Sequence, residues 1–165
     1  MEENYLKRPE GKLNQWRHVF LYCVWLSPVL IIILDQKLDP SSILFYVATT
    51  LVVLGALISL PLNFKKMGHI YKGEELIKTG PYGHCRNPFY LGQVIFLIGF
   101  ALLIFHIANI IFISLFIILT HLTVKSEEKR LEKKFGYRYR KYLRETPRYF
   151  PRHPITFLIS IFKKW

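Results

Sequence analysis

The segment 79–92 reads Thr-Gly-Pro-Tyr-Gly-His-Cys-Arg-Asn-Pro-Phe-Tyr-Leu-Gly and lies between two apolar blocks. Gly80, Pro81, Gly83 and Pro88 make it a shaped loop, since glycine reaches turns closed to other residues and proline presets φ. Tyr82, His84, Arg86, Asn87 and Tyr90 then supply donors, acceptors and aromatic faces at the mouth of an apolar helix. Where the next apolar block ends, Glu127 and Glu128 add two carboxylates. Helical neighbours point about 100° apart, so only one of them can enter a shared mouth. The competing reading makes both first-turn acids that balance a helix dipole and the nearby Lys129, Arg130 and Lys133. Gln93, Asn109 and His121 are polar groups in apolar surroundings, which makes them functional candidates; hydrogen bonding between helices is the plainer role for the first two.

These groups need elements that hold them at a membrane boundary. Of 165 residues, 52% are hydrophobic, yet the net charge is +12. The two properties coexist by segregation: 19–34, 43–62 and 89–124 carry almost no charge. The first two are about long enough to cross ~30 Å of hydrocarbon. The third is too long for one crossing at ~1.5 Å per residue and reads as two helices that turn near 106–109. The expectation is an all-α membrane protein with about four transmembrane helices, a turn-rich cytoplasmic loop and a C-terminal amphipathic helix. Of the 23 Lys and Arg residues, only Lys37 falls outside the N-terminus, the loop and the tail. The positive-inside rule therefore puts both termini and the loop on the cytoplasmic side of a multi-pass protein. Basic flanks of this kind set topology and meet anionic lipid headgroups, which argues against a nucleic-acid partner. Cys23 and Cys85 make no disulfide framework and read as free thiols in a reducing compartment. No cleaved signal peptide is evident.

Residues 1–17 form a polar arm with Trp16 as an interfacial anchor, and Pro28 kinks the first crossing. Ser41 and Ser42 are plausible caps for the second, which should end at Pro61 and Asn63. Within it, Gly55, Ala56 and Ser59 allow close helix packing. Around Tyr71, Lys72, Gly73, Glu74 and Glu75 the chain suggests a short hairpin. Residues 126–143 read as a basic helix with Leu131, Phe135, Tyr139 and Tyr142 on one face, interrupted by Gly136 and placed on the membrane surface or against the loop. Pro147, Pro151 and Pro154 force an extended run, and 155–165 is short and interfacial. The whole of 1–165 reads as one domain: an arm with two crossings over 1–62, a catalytic region over 63–151 and an interfacial tail over 152–165.

Gly80-Pro81-Tyr82, then Arg86-Asn87-Pro88-Phe89-Tyr90-Leu91-Gly92, Glu127-Glu128, Leu131, Phe135-Gly136-Tyr137, Tyr139, Tyr142, Pro147-Arg148 and Pro151 resemble the integral-membrane methyltransferases. That superfamily contains isoprenylcysteine carboxyl methyltransferases and phospholipid N-methyltransferases, and the resemblance covers about half the chain. It implies a methyltransferase that uses S-adenosylmethionine, releases S-adenosylhomocysteine and acts on a lipid or other hydrophobic acceptor reached from the bilayer. Carried onto this chain, the cofactor segment is Glu74, Glu75, Leu76 and Ile77, with Tyr82, Arg86, Asn87, Pro88, Phe89, Tyr90 and Glu127. A carboxylate suits the cofactor's ammonium, donors its carboxylate, and aromatic faces its sulfonium. No metal is implied. Two positions depart from the pattern: the family usually has histidine where Asn87 stands, and its prenylcysteine members have a carboxylate-binding arginine where Thr123 stands. Lys125 or His121 could substitute for that arginine, although neither is a bidentate partner. An amine acceptor would instead need a proton acceptor, for which His121 and Glu128 are the candidates. Two other readings compete: a reductase similar to the sterol reductases, and a non-enzymatic basic scaffold that binds anionic lipids.

Overall fold

The computed structural model describes residues 42–64, 71–72, 75–103 and 107–163. The arm, the first crossing with Cys23 and Pro28, and Glu74 lie outside the described residues.

Helix α1 spans Ile43–Phe64. Ser42 starts it, its Oγ accepting from the Leu44 N–H at 3.2 Å and its carbonyl from the Phe45 N–H at 3.0 Å, which satisfies donors that the first turn leaves open. Pro61 does not end the helix as expected but lies inside its last turn. The hairpin forms as anticipated, with β1 (Tyr71–Lys72) antiparallel to β2 (Glu75–Leu76) and Tyr71 opposite Leu76. A short helix α2 (Pro81–His84) then leads into α3 (Pro88–Leu103). Gly80 enters α2 at φ 60° and ψ −139°, a backbone conformation open to glycine.

Helices α1 and α3 run antiparallel and touch backbone to backbone. A Cβ on Gly99 would fall 2.6 Å from the Val52 nitrogen and 2.8 Å from the Ala48 carbonyl oxygen; one on Gly55 would meet Phe96 and the Gly92 oxygen. One on Gly92 would meet Ile58 and the Ser59 nitrogen. Glycine at these positions removes the side chain that would hold the helices apart, so dispersion contacts can form where lipid removes the hydrophobic drive.

Helix α4 is one continuous element of 29 residues, Ile107–Phe135, about 43 Å long. It corrects two expectations. No new helix begins at Ser126, and Glu127 and Glu128 stand well inside α4 rather than in a first turn. The break comes at Gly136, whose φ of 52° and ψ of −123° turn the chain into α5 (Tyr137–Glu145). An extended stretch follows, and then α6 (Pro154–Phe162). The tail is more than interfacial: Phe157 and Ile161 are buried with Ile58 and Leu62 of α1, Cys85 and Leu91. A second cluster joins Tyr82, Leu131, Tyr139 and Tyr142, with Leu76, Ile77, Phe135 and Leu143 packed against it. The aromatic face of α5 thus seats on the loop.

Two described helices, over Ile43–Leu62 and Asn109–Phe135, are long and apolar enough to cross a membrane. α3 has 16 residues, about 24 Å against the ~30 Å of hydrocarbon. Of the three expected crossings that fall on described residues, two therefore meet the length criterion. Ile43, Tyr46, Val53 and Leu57 on α1, and Ile110, Ile111, Leu115 and Ile118 on α4, are exposed. Apolar stripes of this extent on two long helices are what a lipid solvent allows.

Candidate active site

The sequence allows one carboxylate of the Glu127–Glu128 pair to enter the mouth, and in the structure Glu127 is the one that faces Tyr90. Its Oε1 and Oε2 accept from the Tyr90 hydroxyl at 3.1 and 3.2 Å, which joins α4 to the first turn of α3. Tyr82 lies beside them: burial raises its phenol pKa first, and the charges of Tyr90 and Glu127 raise it further. Buried Tyr82 and Tyr90 and half-buried Glu127 therefore form one group at the charged end of the helices.

Glu128 points the other way, into two arginines. Arg148 donates from Nε at 3.2 and 3.1 Å to the two carboxylate oxygens and from NH2 at 2.7 Å to Oε2, while Arg86 NH2 stands 3.4 Å from Oε1. Both oxygens are taken up by guanidinium groups, so the base suggested by sequence is a bridge in the structure. The hydrogen bond to Glu128 raises the Arg148 pKa, outweighing the opposing effect of burial. Arg86 also reaches α5: its NH1 donates to the Leu143 carbonyl at 3.5 Å, and its Nε is buried without a partner among the described residues.

The stretch 147–149 acts as a strap sewn onto the loop. Its Pro147 carbonyl accepts from the Arg86 N–H at 2.9 Å, its Arg148 carbonyl from Asn87 Nδ2 at 3.1 Å, and its Tyr149 carbonyl from the Cys85 thiol at 2.8 Å. Burial pushes that thiol up to about 12. The Tyr142 hydroxyl closes the far side on the Tyr82 carbonyl at 2.7 Å. Burial raises the phenols of Tyr142, Tyr139 and Tyr149 as well. His121 also meets the strap, with Nδ1 3.0 Å from the Tyr149 hydroxyl. His121 and Glu128 are seven residues apart and share a face of α4, whereas Glu127 stands on the adjacent face toward α3.

The remaining sequence candidates divide by position. Leu76 and Ile77 pack on the Tyr82 cluster, while Glu75 is exposed. Pro88 is buried at the start of α3, and Phe89 packs against the α1 and α6 core with its ring centroid 5.8 Å from that of Tyr90. Thr123 is buried and gives its hydroxyl proton to the Leu119 carbonyl at 2.8 Å, and Lys125 is exposed. Sequence reasoning did not nominate Arg148, Tyr149 or Cys85. The Pro147-Arg148 pair was visible in the motif, but its partner, 20 residues earlier, is defined by the return of the strap.

The family model for phospholipid methyltransferases matches residues 41–138, more than half of the chain. This chain belongs to the phospholipid methyltransferase family. The match runs from the start of α1 to the start of α5 and includes the loop, Tyr90 and both glutamates. The nickel-cobalt-cadmium resistance protein NccN of Alcaligenes xylosoxydans xylosoxydans is 32% identical over 82 residues, which cover 49% of this chain and 38% of that protein. The aligned part is thus well under half of that relative. No solved structure matches the chain. The two long apolar helices accord with a family whose members are membrane methyltransferases.

Proposed function

We propose that the protein transfers a methyl group from S-adenosylmethionine to a nitrogen of a lipid-borne amine. The observation that carries this reading is the Tyr90–Glu127 pair at the mouth of α3 and α4, with Tyr82 beside it. The donor set fits the cofactor. Glu127 supplies a carboxylate for its ammonium, held in place by Tyr90, and the two tyrosine rings suit a sulfonium. When bound, the cofactor contributes a methyl group already activated by the positive sulfur, so alignment is the protein's main task.

Several residues then take distinct parts. Glu127 binds, Tyr90 orients Glu127, and the Arg86–Glu128–Arg148 bridge sets the rotation of α4 that turns Glu127 toward Tyr90. As the amine nitrogen forms its bond to the methyl carbon it must shed a proton. His121 is the candidate to take it, because Nδ1 is paired with Tyr149 while Nε2 has no hydrogen bond among the described residues. The amine is favoured over a prenylcysteine carboxylate by what the arginines and Thr123 do. Arg86 and Arg148 are engaged by Glu128, and Thr123 by its own helix, so no guanidinium is left for an acceptor carboxylate at these positions.

The test is transfer of labelled methyl from S-adenosylmethionine by purified protein, offered a fractionated total lipid extract and a synthetic prenylcysteine. Label in an aminolipid fraction is expected. Label only in the prenylcysteine would replace the amine acceptor, and absence of both label and cofactor binding would overturn the methyl-transfer reading.

A further inference from the structure

Glu127, Thr123 and Thr120 recur on α4 at intervals of four and three residues and therefore share a face. The Tyr90–Glu127 hydrogen bond turns that face toward α3. On α3, Gln93 follows Tyr90 by three residues and stands on the same seam, about 4.5 Å deeper along the helix; Thr123 and Thr120 are about 6 and 10.5 Å deeper than Glu127. The seam is lined by polar groups below the candidate cofactor site.

Two of those groups lack partners. Gln93 Oε1 and Thr120 Oγ1 are buried with no hydrogen bond among the described residues. Thr120, 3% exposed, departs from the other helical hydroxyls around it. Thr50, Ser59, Ser114 and Thr123 each donate to the carbonyl four residues back, the usual way for a membrane helix to satisfy such a group. An orphaned polar atom in an apolar interior bears the full cost of its lost hydration. A ligand that paired with both atoms would remove that cost.

We propose that the seam between α3 and α4 holds the head group of the methyl acceptor, with Gln93 Oε1 accepting a hydrogen bond from its N–H and the Thr120 hydroxyl completing a second one. This rests on the methyl-transfer reading and deepens it. A carbonyl oxygen can only accept, so the seam selects head groups that present an N–H donor. A quaternary ammonium has no such proton and leaves Gln93 unpaired. Selectivity of this kind is steep, because a head group without the donor buries an unpaired acceptor.

The test uses the full chain in alkyl maltoside micelles, with short-chain phosphatidylethanolamine or phosphatidylcholine added and no S-adenosylmethionine present. Thermal unfolding is read as binding, independently of turnover. The ethanolamine lipid should raise the wild-type midpoint, and the choline lipid should not. Thr120→Val and Gln93→Leu should fold at least as stably as wild type without lipid, lose the ethanolamine-induced shift, and keep their affinity for S-adenosylmethionine. In the transfer assay each should raise KM for the ethanolamine lipid roughly tenfold, the size expected when one buried hydrogen bond is lost. Three results would each overturn the seam site: equal stabilisation by both lipids, an equal ethanolamine shift in the variants, or no shift in the wild type. A Gln93-dependent shift in a protein that neither binds S-adenosylmethionine nor transfers methyl would keep the lipid site and overturn the methyl-transfer reading alone.

Discussion

Glu127→Gln keeps the side chain's size and removes its charge, which isolates the ammonium-binding part proposed for it. The half-buried carboxylate is oriented by a tyrosine hydroxyl shared between its two oxygens at 3.1 and 3.2 Å. A hydrogen bond to a charged partner is worth ~1.5 to 3 kcal/mol. The variant should therefore bind S-adenosylmethionine roughly ten- to 150-fold more weakly. Isothermal titration on detergent-solubilised protein measures this directly. Tyr90→Phe should cost less, since it leaves the charge and removes only its orientation. The double variant should fall short of the sum by ~0.5 kcal/mol or more, because the two groups act together. Unchanged cofactor affinity in Glu127→Gln would refute the placement of the ammonium at this carboxylate.

Glu128→Ala leaves two buried or half-buried guanidiniums without their anion and should destabilise the protein by ~3 kcal/mol; thermal unfolding checks it, and an unchanged midpoint would show that the bridge does not hold the strap. Asn87→His should be tolerated, because an imidazole N–H can replace the Nδ2 donor to the Arg148 carbonyl, and cofactor titration would expose any loss. Alkaline stability provides a separate check on the loop. The Cys85 thiol rises in the folded state from 9.0 to about 12, so between those values the folded protein retains a proton that the unfolded chain has released. Its contribution is complete below pH 9 and shrinks as pH rises toward 12, by up to ~1.4 kcal/mol per unit. Cys85→Ala should therefore flatten the decline of the unfolding midpoint just above pH 9. Gly99→Val should cost ~1 to 3 kcal/mol by forcing α1 and α3 apart. Gly136→Ala meets no neighbouring atom, so its cost, of similar size, comes only from the backbone at φ 52°. A second substitution that relieves crowding should rescue the first variant and not the second.

Several elements were legible because the residues that define them are neighbours in sequence. The apolar run beginning at Ile43, its Ser42 cap, the hairpin at Tyr71 to Leu76 and the break at Gly136 follow from local pattern and backbone permission. Gly55 announced close packing, but its partners Gly92 and Phe96 lie on another helix. Pro61 misled because a proline removes one backbone bond without ending a helix whose neighbours in the membrane can satisfy the freed carbonyl. The division of α4 at Ser126 misled for a related reason: a change from apolar to charged residues marks a change of solvent, and a helix can pass through that boundary unbroken.

The chemistry-bearing residues show the same division. Sequence alone determined that a turn-rich loop with Tyr82, Arg86 and Tyr90 stands between apolar helices, and that at most one of two adjacent glutamates could face it, because helical neighbours diverge by about 100°. It could not choose between Glu127 and Glu128, since that depends on the rotation of α4, and the rotation is set by partners distant along the chain. Arg148 and Arg86 draw Glu128 to one side, and Tyr90 receives Glu127 on the other. The tertiary structure likewise decided that Phe157 and Ile161 complete the core beneath the loop, and that Gln93 Oε1 and Thr120 Oγ1 are buried without hydrogen-bond partners among the described residues. Burial and hydrogen-bond satisfaction belong to the packed chain, and no spacing of residues encodes them alone.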